Sequence, residues 1–150
     1  MDTKRITKIS IFMAMSIALT FFPKILTPTG YIHLGDSIII LSAFFLGPVD
    51  AMLVGGIGHA MADIISVYAI YAIPTLLIKG LFGYAIGKIK NKYISMPLGI
   101  LIVITGYFIF ESIYFSIEAG LFSILTSFVQ VLSSVIVSLV VYRFTKNKLK

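Results

Sequence analysis

The class of this protein is indicated by the run GLFSILTSFVQVLSSVIVSLVVY (residues 120–142), which contains no charged side chain. A helix of about 17–25 apolar residues crosses the hydrocarbon core of a bilayer, so this run predicts a transmembrane helix. The whole chain of 150 residues agrees, because 59% of it is hydrophobic and only 12% is charged. Soluble domains are usually about 45–50% apolar and about 25% charged. We therefore expect an all-α integral membrane protein in which residues 1–150 form a single transmembrane domain.

Five further apolar segments precede this run, and together they predict a compact bundle of six transmembrane helices. The predicted helices are 6–22, 37–47, 50–67, 73–87, 97–117 and 120–142. Pro97 stands at the start of the fifth, in the N1 position that proline favours. Residues 23–35 contain Pro23, Pro28 and Gly30 and are predicted to form a loop.

The distribution of basic residues predicts the topology. Ten of the 12 Lys and Arg residues lie in three clusters beside apolar segments: Lys4, Arg5 and Lys8; Lys88, Lys90 and Lys92; and Arg143, Lys146, Lys148 and Lys150. With six crossings all three clusters fall on one side, which the positive-inside rule assigns to the cytoplasm. Both termini are therefore expected in the cytoplasm. The same clusters indicate lipid headgroups, and not nucleic acid, as the anionic partner.

The predicted helix 37–47 is short for a complete crossing. It either includes residues 31–35, or residues 36–67 form a re-entrant hairpin that enters from outside. Charge distribution fits both arrangements, but Asp50 offers a distinction. At a hairpin tip Asp50 would be buried, whereas at a cytoplasmic turn it would be solvated. We favour six crossings.

Polar side chains inside the predicted helices define a candidate substrate site. Ionisable residues are costly in a membrane, so each is a functional candidate by default. Aromatic rings beside a few converging polar groups are typical of a small-molecule site. The candidates in the outer halves or near the middle of the helices are Asp63, Lys79, Tyr107, Glu111, Tyr114 and Gln130.

Structural interpretations compete with this hypothesis. Lys79 and Glu111 would also form an ion pair that holds two helices together. Asp36 fits the N-cap of the second helix better than a ligand contact. Tyr31 falls near the outer interface, where an aromatic belt is expected in any case.

Metal, cofactor and nucleotide chemistry find little support in the sequence. Cysteine is absent, and the two histidines, His33 and His59, stand on different segments without the spacing of metal ligands. We expect no metal site and no cofactor. The chain also lacks a Walker A motif, HExxH and GxSxG, so any energy for transport is expected to come from another protein.

Small residues repeat at helical spacing on two of the predicted helices. These stripes are Ser10, Ala14 and Ala18 on the first and Gly80, Gly83 and Gly87 on the fourth. Small side chains allow the backbones of two helices to approach closely in a membrane. The neighbour is either another helix of the bundle or an external partner, and the spacing leaves both open.

The order of three motifs is more specific: HLGDSIIILSAFFLGP (33–48), GGIGHAMADII (55–65) and PTLLIKGLFG (74–83). Together they resemble the S components of energy-coupling factor (ECF) transporters, most closely the riboflavin and hydroxymethylpyrimidine group. This resemblance implies a six-helix protein of the bacterial cytoplasmic membrane that captures a vitamin or vitamin precursor from outside. Members of the family take substrate contacts from the loop after the first helix and from the outer halves of later helices. Tyr31, His33 and Asp36 thereby join the candidate substrate-binding residues.

The resemblance also implies protein partners. S components dock on a transmembrane coupling protein that works with two cytoplasmic ATPases. Docking in the family uses small residues of the first helix in an AxxxA pattern, which Ala14 and Ala18 match and Ser10 extends. A transport subunit is thus the leading hypothesis.

Two other classes stay open on the sequence. One is a membrane-embedded enzyme that uses Asp63 and Glu111, although a repeated acidic motif and a metal-ligand set are missing. The other is a holin-like structural bundle, against which the clustering of charges at one depth argues. We expect a protein that is not an enzyme.

Overall fold

Six α-helices and one β-hairpin make up the part of the chain that the computed structural model describes, residues 2–28 and 30–146. The helices are α1 (Thr3–Phe21), α2 (Asp36–Phe45), α3 (Pro48–Ile65), α4 (Ala72–Lys88), α5 (Lys92–Tyr114) and α6 (Ile117–Thr145). The hairpin pairs β1 (Lys24–Leu26) with β2 (Tyr31–His33), and a 3₁₀ turn (Ala69–Tyr71) precedes α4. The expected all-α membrane fold is confirmed. Lys148 and Lys150 of the last basic cluster lie outside the described residues.

Four helices are long and apolar enough to cross a membrane: α3, α4 with its preceding 3₁₀ turn, α5 and α6. α2 has only 10 residues. At about 1.5 Å per residue it spans about half of a 30 Å hydrocarbon core. The protein is therefore a multi-pass membrane protein, whereas the six-crossing topology and the cytoplasmic termini stay predictions.

α2 is buried on all sides at the centre of the bundle. Residues 36–43 are all buried, as expected for a helix that is apolar around its whole circumference. Ile39 and Ile40 pack in the main core with Phe82, Val103 and Val131 of the surrounding helices. The position of α2 fixes where its first residue, Asp36, meets the other helices.

The closest helix pair, α3 and α4, depends on glycine. A methyl group placed on Gly55 would lie 2.5 Å from the carbonyl oxygen of Lys79, and one on Gly56 would lie 2.8 Å from that of Leu76. Only a missing side chain permits this approach. The contact brings the backbone of Lys79 directly against α3.

The prediction of a plain loop over 23–35 was wrong, because the hairpin lies within it. Ile25 pairs with Ile32 in antiparallel register, and the Thr27 N–H donates to the Gly30 carbonyl at 2.9 Å across the turn. Short apolar and aromatic triplets flank the Pro28–Gly30 turn, a pattern that favours a hairpin. We call the end of the bundle that carries it the hairpin end.

The prediction for the start of the fifth helix was also wrong. α5 begins at Lys92, so Pro97 lies inside the helix and not at its first position. Asn91 caps the helix, since its side chain accepts a hydrogen bond from the Tyr93 N–H at 3.0 Å. The capping residue starts the helix earlier, and proline is tolerated near the beginning at the cost of one backbone hydrogen bond.

Asp50 lies at the end opposite the hairpin, which we call the basic end. It is buried, as expected for a re-entrant tip, yet its Oδ1 accepts a hydrogen bond from Arg5 Nε at 2.9 Å. Burial of Asp50 therefore does not distinguish a re-entrant hairpin from six crossings, because Arg5 of the first basic cluster neutralises Asp50 at this turn. Lys92 lies at the same end as the last turns of α6, with its Nζ 3.8 Å from the Tyr142 ring centroid.

Candidate functional site

A polar cavity lies at the hairpin end, between the hairpin and helices α3 to α6. The space open to the centres of water molecules is about 60 Å³, and one ordered water needs about 10–15 Å³ on this measure. Six of the residues that the sequence analysis proposed for substrate binding line it: Tyr31, His33, Asp63, Tyr107, Glu111 and Gln130. The cavity therefore collects side chains from β2, α3, α5 and α6.

Three other candidates do not line the cavity. Tyr114 is 54% exposed and stacks on Phe110, with 5.5 Å between ring centroids. Lys79 and Asp36 are buried next to the cavity and bind each other, with Lys79 Nζ 2.7 Å from Asp36 Oδ2. The expected ion pair of Lys79 is thus found, but its acidic partner is Asp36 and not the proposed Glu111.

The buried ion pair of Asp36 and Lys79 is joined by Gln130. We call these three residues the closed ion pair. Gln130 Nε2 also donates to Asp36 Oδ2, at 2.9 Å. The N-cap of α2 is Gly35, and Asp36 is the first helical residue, so the assignment of Asp36 as a cap was wrong. The Asp36 side chain points into the bundle, where it pairs with Lys79. Leaving the buried Lys79 charge unpaired would cost more free energy than leaving the helix without a side-chain cap.

Asp63 is the carboxylate that faces the cavity. Tyr31 Oη donates to Asp63 Oδ1 at 2.9 Å, and the Thr75 side chain is a further partner of this carboxylate. Burial raises the pKa of Tyr31 well above its ordinary value, and the Asp63 charge adds to this. Tyr31 therefore remains protonated and fixes one oxygen of Asp63 at the wall of the cavity.

Four tyrosines form a continuous aromatic wall: Tyr31, Tyr68, Tyr71 and Tyr107. Ring centroids are 4.8 Å apart for Tyr31 and Tyr68, and 6.3 Å apart both for Tyr68 and Tyr71 and for Tyr71 and Tyr107. The Tyr107 hydroxyl is 3.0 Å from Thr75 Oγ1, which holds the ring in place. Such a wall offers both flat apolar faces and hydroxyl groups to a planar ligand.

The two histidines are neighbours, contrary to the expectation from their sequence spacing. Donor atoms of His33, Asp36 and His59 lie within 4.8 Å of one another, a spacing that would suit a metal ion. Asp36 is already neutralised by Lys79, however, and a further cation there would meet the Lys79 charge. Ser16 Oγ lies 3.1 Å from His59 Nδ1, and the Gly35 N–H donates to His33 Nδ1 at 3.1 Å. The arrangement fits a hydrogen-bonded cluster better than a metal centre.

The sequence analysis missed part of the lining. The additional residues are Thr27, Gly30, His59, Tyr68, Tyr71, Thr75, Thr126 and Ser127. Tyr68 and Tyr71 fall near the predicted outer interface, where an aromatic belt is expected in any case, and Thr75 and Ser127 carry no charge that marks them. One helical signal was available, since Thr75 lies one turn before Lys79 on the same face.

Comparison with known proteins identifies the family. A family model described as the S component of the ECF-type riboflavin transporter matches residues 1–147. The chain belongs to this family. It is also similar to the thiamine precursor transporter HmpT of Lactococcus lactis subsp. cremoris (strain MG1363), with 30% identity over 116 residues, 73% of this chain and 69% of HmpT.

A second relative is an uncharacterized protein of Pyrococcus woesei, which is 36% identical over 85 residues. This match covers 52% of the chain and spans only 57% of the Pyrococcus protein. The three motifs of the S-component resemblance have clear places in the fold. Asp36 in the first motif bonds to Lys79 in the third, and the glycines of the second allow α3 and α4 to approach.

Proposed function

We propose that this S-component family member is the substrate-specific membrane subunit of an ECF-type transporter, and that it binds a vitamin or vitamin precursor in the hairpin-end cavity. The observation that carries the proposal is a buried, aromatic-lined cavity with two carboxylates inside a bundle of membrane helices. Acidic residues at membrane depth are costly, and a function that uses them explains their presence. The relative HmpT is a thiamine precursor transporter, which agrees with a small vitamin-type ligand.

Capture from outside is part of the proposal. Arg5 and Lys92 both lie at the basic end, and the positive-inside rule assigns that end to the cytoplasm. The hairpin end, and with it the cavity, would then face outwards. Lys24 in β1 is the single lysine or arginine of the hairpin, in agreement with an outer location.

Docking on a transmembrane coupling protein with two cytoplasmic ATPases is supported by α1. Ser10, Ala14 and Ala18 are all exposed on the outer surface of the bundle. The glycines of α4 behave differently, because Gly80 and Gly83 are buried against α3. Internal packing thus accounts for the α4 stripe and leaves the α1 stripe without a neighbour inside the bundle. A smooth exposed stripe suits a helix of another protein, since lipid gains nothing from small side chains.

We assign no catalytic reaction to the chain. The S-component family consists of transporter subunits, and the energy for uptake would come from the partner ATPases. Asp63 is engaged on one side by Tyr31, in a site formed mainly by aromatic rings and hydroxyl groups. This arrangement suits recognition of a ring and its substituents.

Uptake measurements test the function. Cells that produce this chain together with a coupling protein and its ATPases should accumulate radiolabelled riboflavin or amino-bearing hydroxymethylpyrimidine. The chain alone, and the coupling proteins alone, should not. Uptake that is equal with and without this chain would contradict the proposal.

A further inference from the structure

α1 is held in the bundle by few buried side chains. Of its 19 residues, all of which the structure describes, three are buried, Ile9, Ser16 and Thr20, and two of these three are polar. Within a membrane, an apolar helix surface gains little by facing a neighbouring helix instead of lipid. Apolar packing therefore gives α1 only a weak preference for one rotation about its own axis, and its polar contacts gain importance.

Two polar contacts join α1 to α3 at different depths. At the basic end, Arg5 Nε donates to Asp50 Oδ1 at 2.9 Å. Nearer the hairpin end, Ser16 Oγ lies 3.1 Å from His59 Nδ1. Arg5 and Ser16 are about 16 Å apart along the helix axis, at about 1.5 Å per residue. Two contacts at this separation fix both the height and the rotation of α1 against α3.

The side chains that α3 contributes to these contacts are firmly placed. Asp50 and His59 are both buried, with relative exposures of 5% and 2%. His59 Nε2 also lies 3.4 Å from Asp36 Oδ1, so the imidazole ring has partners on both sides. A buried polar group that loses its partner costs free energy. Asp50 and His59 therefore favour the one position of α1 in which both contacts are made.

The two contacts and the exposed stripe lie on opposite faces of α1. With 3.6 residues per turn, each residue is rotated by about 100° from the one before it. Ser16 is then about 20° from Arg5, on the same face. The residues of the stripe lie about 140–220° from Arg5: Ser10, Ala14 and Ala18. Burial agrees with this geometry, because Ser16 is buried and the stripe is exposed. The contacts with α3 therefore turn the stripe away from the bundle.

We propose that the pairs Arg5–Asp50 and Ser16–His59 are positioning contacts, which hold α1 on α3 in the rotation that presents the exposed stripe to the coupling protein. None of the four residues belongs to the stripe, so they act on docking through the orientation of α1. The proposal rests on the proposed docking of α1 and adds the residues that make this surface available. Loss of the contacts weakens docking, because only the fraction of chains with a correctly turned α1 is able to bind the partner.

The orientation of α1 is measured without any partner. The chain has no cysteine, so spin labels on Ala14→Cys and Leu101→Cys, at exposed positions of α1 and α5, report a single distance by electron paramagnetic resonance. With both contacts intact, we expect a narrow distribution of this distance. Arg5→Gln combined with Ser16→Ala should broaden the distribution, because α1 then samples several rotations.

Lys8→Gln combined with Ser138→Ala is the matched control. Lys8→Gln removes one exposed positive charge from the same basic cluster as Arg5. Ser138 is a buried serine of α6 whose hydroxyl donates to the Val135 carbonyl at 2.8 Å, so its contact stays within one helix. The control pair should keep the narrow distribution.

Docking is measured on the unlabelled full chain in detergent, by surface plasmon resonance on the immobilised coupling protein with its ATPases. Arg5→Gln with Ser16→Ala should weaken binding at least about tenfold, and the control pair less than about twofold, if about one tenth of the variant chains has α1 correctly turned. Thermal denaturation verifies that both are folded. If the unpaired Asp50 prevents folding, Asp50→Asn is added, which removes the second charge of that contact.

The outcomes separate the inference from the proposed function. A narrow distance distribution in the folded variant that lacks both contacts would overturn the inference. Docking of that variant as tight as docking of the control pair would also overturn it, and would leave the proposed docking of α1 standing. Failure of the wild type itself to bind the coupling protein would contradict the proposed docking, whereas a broadened distribution would still support the role of the contacts in holding α1.

Discussion

Asp36 and Asp63 are two buried aspartates in neighbouring parts of the same protein, yet their surroundings differ. Asp36 is fully buried and holds Lys79 and Gln130 on one oxygen, with His59 Nε2 3.4 Å from the other. Asp63 accepts a hydrogen bond from the Tyr31 hydroxyl, has the Thr75 side chain as a further partner, and lines the cavity. The comparison teaches that membrane depth alone does not define a binding residue. A carboxylate that is paired with a buried cation stabilises the fold, and one that faces a cavity without a paired cation is available to a ligand.

The largest expected effect comes from breaking the closed ion pair. Lys79→Met removes the cation of a buried pair and leaves Asp36 uncompensated, which should lower the free energy of unfolding by about 3–5 kcal/mol. Lys88→Met, at the exposed end of the same helix, is the matched control and should change it by less than about 0.5 kcal/mol. Denaturant unfolding in detergent, followed by circular dichroism, measures both. Equal free energies of unfolding for the two variants would show that the ion pair of Asp36 with Lys79 does not stabilise the fold.

The same pair can be neutralised as a whole. Asp36→Asn combined with Lys79→Met leaves no unpaired charge, so it should recover most of the stability that the single lysine change removes. A double variant as unstable as Lys79→Met would contradict the charge argument.

An intermediate effect is expected from pH, because His33 lies between the two aspartates. Its ring contacts those of Tyr31 and His59, and the nearby charged groups are Asp36, Lys79 and Lys24. Burial lowers the pKa of His33 well below its ordinary value, against the opposing effect of Asp36. The unfolded chain therefore binds a proton near pH 6.5 that the folded chain does not.

Stability should consequently fall as the pH drops below about 6.5, by up to about 1.4 kcal/mol per pH unit for this histidine. Melting temperatures between about pH 7.5 and pH 5.5 measure the slope, and His33→Gln should reduce it. A slope that His33→Gln leaves unaltered would assign the pH dependence to other groups.

A smaller effect is expected from one hydroxyl of the cavity. Tyr107→Phe keeps the ring but removes the hydrogen bond with Thr75, which should weaken ligand binding by about 0.5–1.5 kcal/mol. Tyr142→Phe, at the basic end, removes a hydroxyl far from the cavity and should have no effect on affinity. Titration calorimetry with riboflavin and with amino-bearing hydroxymethylpyrimidine compares the affinities of the two variants. Loss of affinity in both variants would mean that the effect is not local to the cavity.

The smallest effect on stability is expected far from both aspartates, on the exposed stripe of α1. Ala14→Trp and Ala18→Trp should change the free energy of unfolding by less than about 0.5 kcal/mol, and ligand affinity should be unchanged. Uptake with the coupling proteins should nevertheless be lost, because the added volume fills a helix-docking surface. Leu101→Trp, at an exposed position of α5, is the control and should retain uptake. Destabilisation by Ala14→Trp would place its neighbour inside the bundle.

Much of the fold could be predicted because it follows from local patterns. Apolar runs predict the helices, and the glycine stripe of α4 predicts a close helix contact, which the structure places against α3. The hairpin and the start of α5 were missed, since a three-residue strand has little periodicity and the Asn91 cap competes with a proline signal. Both errors concern short-range chemistry at the ends of elements.

The site could be predicted only in part, because it depends on which distant residues meet. Six cavity residues were found from charge, aromaticity and depth. The choice of Asp36 as the partner of Lys79 depends on the position of α2 inside the bundle, and no helical spacing encodes it. The proximity of His33 and His59 likewise arises from the contact of β2 with α3, which the sequence separation conceals.

Mass spectrometry of the molecule that co-purifies with the chain tests the central claim most directly. Ser127→Phe would fill the cavity from its buried α6 wall, and Ser133→Phe on the same helix lies away from the cavity lining. We predict that the wild type and Ser133→Phe retain one small aromatic molecule per chain, and that Ser127→Phe retains none although circular dichroism shows it to be folded. Retention of the same molecule by folded Ser127→Phe would contradict the assignment of this cavity as the substrate site.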